Sequence, residues 1–328
     1  MKRLVQIFLL VALLILSVNV RVVRLKTEPT GRAILPTPST PPDKCPANGK
    51  SFPIPLSKMP FKHPVHHRID DMCPQEGKND PNKNHRAQNS AKNNFTVTGN
   101  AVPLTFSDFK SLQKATAEKI KKGIIKLDVN GYPNKRELTL KDQVSVNGEQ
   151  IGEGTLVTLE AFVYAAHYSN TKFNRYENNK RGSGESNNCG CNRVDWNDIH
   201  IALVESDDPQ TNECSSVTAE LSPHYRPDLW NRFHDGRIGE IQNMLPGLLR
   251  NKVVGDLENG SPLRVRLTGT LFYDASHKPC ILNSAGKVIR RESPARQTIW
   301  EIHPVYSIEV FDTSKSKWVD LDQSLGGV

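Results

Sequence analysis

The chain predicts a mainly β protein with helices, an α+β body built on an OB-like five-stranded Greek-key barrel. Three features carry that expectation: five strand-like runs in the C-terminal two thirds, a helical stretch between the third and the fourth, and an alternation broken at Gly269 as a barrel bend requires.

Residues 155–166 read as the first strand, 198–204 as the second and 216–221 as the third. Residues 227–251 have helical tendency, interrupted by Gly239 and Pro246. Residues 263–274 form the fourth strand and 297–311 the fifth. In the fifth, Trp300, Ile302, Tyr306 and Ile308 alternate with Glu301, His303, Ser307 and Glu309, so one face enters a core and the other carries polar groups. An immunoglobulin-like sandwich, which needs about seven strands and no long helix, ranks second.

Ahead of the barrel, residues 95–154 predict a helix and hairpin extension. Thr105 and Asp108 form a capping box, Phe106, Phe109, Leu112 and Ile120 give a helical stripe, and Gly123 ends it. Asn130-Gly131 and Asn147-Gly148 are turn dipeptides between the β-prone runs 124–129, 137–140 and 143–146. Residues 314–328 are left as a C-terminal tail.

Charge is unevenly placed. Residues 1–100 hold 15 Lys and Arg against 6 Asp and Glu, so the body is near neutral within an overall net charge of +8. Lys2 and Arg3 precede an apolar run over residues 4–20, so residues 1–24 predict a signal peptide or an N-terminal membrane anchor. Residues 25–94 are basic and poor in apolar runs, and those from 27 to 94 carry 12 of the 22 prolines, which predicts a largely disordered spacer. His63, His66 and His67 within it read as solvated side chains, and Asn94-Phe-Thr96 is a glycosylation sequon.

An exported protein, in the cell envelope or secreted, follows. Its six cysteines, Cys45, Cys73, Cys189, Cys191, Cys214 and Cys280, then favour disulfides over zinc thiolates. A bridge from Cys45 to Cys73, with two more among the other four, is the expected pairing.

Five fragments taken together resemble a family of exported bacterial proteins with OB-like bodies and no assigned activity. They are Ala87-Gln-Asn-Ser-Ala-Lys-Asn-Asn-Phe95, Asp198-Ile-His200, Ala219-Glu-Leu-Ser-Pro223, Gly269-x-x-Phe-x-Asp-x-x-His277 and Trp300-Glu-Ile-His-Pro-Val305. The resemblance spans residues 69–311 and implies a bacterial, extracytoplasmic setting without assigning a reaction.

Two candidate sites emerge. Asp198, His200, Glu220, His277, Glu301 and His303, with Asp274, lie on the polar faces or ends of the strands and could ligate a divalent metal for hydrolysis. Half-exposed strands carry such residues without a site, and a five-stranded order leaves Glu301 and His303 free to fall across the barrel from His200. The second candidate lies in two loops. Residues 168–193 offer Lys172, Arg175, Tyr176, Lys180, Arg181 and Arg193, and residues 275–297 offer Lys287, Arg290, Arg291 and Arg296, beside Lys278 and Phe173. Cations with interleaved rings suit a polyanion, either nucleic acid or an acidic glycan. Nucleophile elbows and phosphate loops are absent from the sequence. The expected function is therefore non-catalytic binding, with no cofactor unless a divalent metal, a membrane contact through the N-terminus, and unspecified protein partners. A metal-dependent hydrolase and a structural envelope protein are the alternatives.

Overall fold

The computed structural model describes residues 45, 50–168, 171–174, 179–182, 184–191, 193–208, 211–227, 263–292, 295–312 and 315–321. All lie in one unit, Pro42–Val328. Residues 1–24 and nearly all of residues 227–251, expected to be helical, fall outside the described residues. Among those described, no helix is long and apolar enough to cross a membrane.

Among the described residues four α-helices occur: α1 (Arg68–Met72), α2 (Lys83–Lys92), α3 (Phe106–Lys121) and α4 (Arg136–Thr139). The strands are β1 (Val102–Leu104), β2 (Val144–Val146), β3 (Glu149–Ile151), β4 (Leu156–Tyr168), β5 (Thr171–Asn174), β6 (Asn179–Gly182), β7 (Ile199–Val204), β8 (Val217–Leu221), β9 (Arg264–Tyr273), β10 (Ile281–Leu282), β11 (Val288–Arg290), β12 (Trp300–Asp312) and β13 (Lys317–Asp320). The protein is mainly β. Strands β4, β7, β8, β12 and β9 pair in that order, and β9 returns to β4, closing a five-stranded barrel consistent with the OB-like expectation.

Inward positions of these strands fill the core. Val157, Leu159, Ile199, Ile201, Val217, Ala219, Leu267, Trp300 and Ile302 form one buried cluster with Phe106, Phe109 and Leu112 of α3. Thr105 caps α3 as its sequence requires: its side chain accepts from the Asp108 amide while Asp108 accepts from the Thr105 amide. The helix is fixed to β12 by a 3.1 Å hydrogen bond from Trp300 Nε1 to Thr116 Oγ1.

At Gly269 the strands come too close for a side chain, since an added Cβ would stand 2.5 Å from the Pro304 carbonyl oxygen. Gly269 pairs with Val305, and the register shifts on both sides of that pair. The shift overturns the expected alternation of β12. Val305 takes the core position and Tyr306 turns to the outer face, where its hydroxyl donates to the Asn94 carbonyl at 3.0 Å.

Several other expectations need correction. Residues 50–94 are not a spacer but are folded onto the barrel: Phe52, Ile54, Met59 and Phe61 share a cluster with Phe95, Tyr225 and Tyr306. A segment too poor in apolar residues to make its own core has borrowed one. The disulfides are Cys45–Cys191, Cys73–Cys189 and Cys214–Cys280, so Cys45 and Cys73 do not pair with each other. The loop at 185–191 lies against the N-terminal segment, where Lys78 N donates to Ser186 O at 2.7 Å, and that brings the distant cysteines together. Three disulfides fit an oxidising, extracytoplasmic compartment. Residues 137–140 begin in α4 rather than a strand, and the C-terminal residues 317–320 are not a free tail but pair with β12 as β13.

Candidate functional site: a buried ionic centre on the barrel wall

The centre arises from strand register. In β7 and β8 the odd-numbered apolar residues point inward, which turns His200 and Glu220 outward. These two stand directly opposite each other in the antiparallel pair, with His200 Nε2 at 2.7 Å from Glu220 Oε1. Strand β12 then pairs with β8 in parallel, Ile302 against Ala219. Glu301 and His303 therefore flank Glu220 rather than falling across the barrel.

His303 Nδ1 lies 2.7 Å from Glu220 Oε2 and 3.6 Å from Glu301 Oε1, while its Nε2 faces Asp198 Oδ2 at 3.9 Å. Asp274, just past the end of β9, is bonded to His277 Nδ1 and accepts from Gln88 Nε2 at 3.3 Å. All six metal-ligand candidates and Asp274 thus meet in one connected network. Asp198, Glu220, Asp274, Glu301 and His303 are buried, and His277 alone is appreciably exposed, at 23% of its side chain. The polar faces expected to meet solvent meet the chain's own N-terminal segment instead.

That segment brings a residue the sequence reading passed over. Helix α2 is capped by Asn82, whose side chain accepts from the amides of Asn84 and His85, and it ends by inserting Lys92 among the carboxylates. Lys92 Nζ lies 3.1 Å from Glu220 Oε2, 3.9 Å from Asp274 Oδ2 and 4.0 Å from Glu301 Oε1. Arg296 is the second cation, with Nη1 at 2.6 Å from Glu301 Oε2 and 3.8 Å from Asp274 Oδ2. Expected in an exposed anion-binding loop, Arg296 is instead buried, because the chain entering β12 turns it inward onto Glu301. Asn187 and Asn188 hold the far end, donating to the two oxygens of Asp198 at 2.8 and 3.1 Å. The fragment quoted around Gln88 and Lys92 contained the missing signal, but nothing in its composition tells an inserted lysine from a solvated one.

Burial alone would lower the pKa of Lys92, yet Glu220, Asp274, Glu301 and Asp198 hold it well above its ordinary value. Burial would also lower that of His303, but Asp198 and Glu220 raise it to about 10, which favours the imidazolium form of the ring. Burial pushes Glu220 and Asp274 up. For Glu220, His200, Lys92 and His303 reverse this, and for Asp274, Lys92, His277 and Arg296 do so, leaving both carboxyls well below the usual range. Glu301 goes the other way: burial, Glu220 and Asp274 raise its pKa against the pull of Arg296. Four carboxylates thus face Lys92, Arg296 and a protonated His303, with one carboxyl biased toward its neutral form.

Two triads, Asp198 with Glu220 and His303, and Glu220 with Asp274 and Glu301, have ligand atoms within 4.8 Å of one another, a spacing a divalent cation can use. In the second triad the Lys92 ammonium already supplies the positive charge. In the first, His303 stands with Nδ1 2.7 Å from Glu220 Oε2 and Nε2 3.9 Å from Asp198 Oδ2, contacts that an imidazolium makes as an ion pair without an added cation. The residues fit a self-neutralised network better than a metal shell.

The basic loops fold into hairpins. Lys172 opposes Arg181 in the β5–β6 pair, but the side chains of Lys172, Lys180 and Arg181, and residues Arg175 and Tyr176, lie outside what is described. Arg193 pairs with Asp195 at 2.6 Å, Arg290 with Glu292 at 2.5 Å, and Arg291 with Glu213. Lys278 and Lys287 form no ion pair among the described residues. The His200 and His277 rings stand edge to face with centroids 6.2 Å apart, which sets the start of β7 beside the segment that leads into β10. No family model, curated protein or solved structure matches the chain.

Proposed function

We propose that the chain is an extracytoplasmic binding protein built on an OB-like Greek-key barrel, and that its ligand is a polyanion held by the two basic hairpins. The pairing order β4, β7, β8, β12, β9 supports the barrel assignment, being first, second, third, fifth and fourth strand in chain order. Barrels of this kind bind across the second and third strands between the loops that flank them. Here one observation redirects the ligand: Lys92 and the segment before it cover that face and neutralise it. The cation-rich parts of the two loops, the β5–β6 and β10–β11 hairpins, are then the surface offered to a ligand. A nucleic acid strand or an acidic glycan suits their charge. The test is a filter-binding titration of the protein against single-stranded DNA and heparin over a salt series. Each phosphate or sulfate contact should steepen the fall of affinity with salt. Substituting Lys278 and Lys287 with Glu should weaken binding and flatten that slope; weak, salt-independent binding by the unaltered protein would refute the proposal.

One observation favours a second reading, a metal-dependent hydrolase: the ligand-like spacing of Asp198, Glu220 and His303. Elemental analysis of the purified protein, with esterase and nuclease screens with and without chelator, separates the two. Stoichiometric metal with chelator-sensitive turnover would establish it.

A further inference from the structure

We infer that the β10–β11 hairpin docks on an anionic lipid bilayer. The inference rests on the polyanion reading at this hairpin and narrows it to one source of negative charge. The hairpin is anchored at its base by the Cys214–Cys280 disulfide, and Val288 packs against that bridge with Ala295. Beyond this anchor it projects three aliphatic side chains into solvent: Ile281, Leu282 and Ile289 are 43%, 47% and 66% exposed. Residues 278–292 hold the four cations Lys278, Lys287, Arg290 and Arg291 and the single acid Glu292; Arg290 pairs with Glu292 and Arg291 with Glu213, so the patch including Glu213 keeps a net charge of +2, carried by Lys278 and Lys287.

The two features together select the partner. A nucleic acid strand would engage the cations and stack its bases on aromatic rings, but residues 278–292 contain no aromatic residue. Soluble polyanions gain nothing from exposed isoleucine and leucine. A bilayer uses both: aliphatic side chains enter the boundary between headgroups and acyl chains, and anionic headgroups attract the surrounding Lys and Arg. The hairpin forms a two-stranded sheet of its own, with a register shift between Ile281 and Leu282 and Gly286 in the left-handed region, and among the described residues neither strand pairs with the barrel. It is thus free to meet a flat surface.

Ile289→Trp in the full chain places a reporter at the most exposed of the three positions without disturbing the core. Compared with the unaltered protein, its emission should shift to the blue with phosphatidylglycerol vesicles and be quenched by brominated lipid. Phosphatidylcholine vesicles should produce neither change. Adding Lys287→Glu and Arg290→Glu should reduce vesicle affinity roughly tenfold or more, two cations reversed at an anionic surface. Reporter signal that is absent, or equal on neutral vesicles, overturns the inference. Heparin and single-stranded DNA binding, measured on the same protein, tell the failures apart. Binding to either without the vesicle signal removes the lipid partner and leaves the polyanion reading standing, whereas no binding in any arm removes both.

Discussion

Lys92 and Glu220, 128 residues apart in the chain, meet at 3.1 Å with both side chains buried. The contact joins the end of α2 to the end of β8, one position before Leu221, and covers the outer wall of the barrel. Removing one partner of such a pair strands the other charge away from water, which typically costs ~3–5 kcal/mol. Lys92→Met should therefore destabilise the protein by that order in urea unfolding, and limited proteolysis should cut within residues 50–94 first. A loss under ~1 kcal/mol would mean that Lys92 is not holding the segment in place.

Stability should fall on both sides of neutrality for different reasons. The folded pKa of His303, about 10, lies above its ordinary 6.5, so its contribution is fully present below about 6.5 and is lost as pH rises through 10. Glu220 and Asp274 have depressed folded values, so theirs is present above the usual carboxylate range and disappears as pH drops through and below it. Thermal melts between pH 3 and 10 should show a plateau with two declining limbs. His303→Gln should flatten the alkaline limb and leave the acid one in place.

Gly269 is where the barrel closes most tightly. Ala at this position would press its methyl group on the Pro304 carbonyl and on Ile302 Cγ2, 2.6 Å from the built Cβ. Overpacking of this kind costs ~1–3 kcal/mol. Gly269→Ala should lower the denaturation midpoint accordingly; a neutral result would show that β12 can give way.

Non-reducing peptide mapping should recover Cys45 with Cys191, Cys73 with Cys189 and Cys214 with Cys280. Replacing Cys73 and Cys189 together by Ser should cost roughly 2–5 kcal/mol, since their bridge spans 116 residues.

The five barrel strands were legible because β4, β7, β8, β9 and β12 each alternate or run apolar over several residues, and Gly269 marked the bend. The polar faces were legible for the same reason, since a period of two that buries Ile199 and Ile201 must turn His200 outward. Their convergence was not. It depends on β12 lying parallel beside β8, a pairing between distant segments that no local pattern specifies. Lys92 was hidden for another reason: α2 is polar apart from Ala87 and Ala91, and Gln88 and Lys92 find their partners at Asp274 and Glu220, far away in the chain. The same dependence on distant partners made residues 50–94 read as a spacer and misdirected the pairing of Cys45. Tyr306 was misplaced by one position because the register shift at Pro304 interrupts the alternation it appeared to continue.

The central claim is that the centre on the barrel wall is neutralised by the chain's own cations, with His303 protonated between Asp198 and Glu220. Nitrogen-15 NMR of the His303 ring at pH 8 tests it most directly. An imidazolium with protons on both nitrogens, unchanged by adding zinc or a chelator, is the predicted result. A neutral ring with one bare nitrogen, or a nitrogen shift that appears on adding metal, would contradict it.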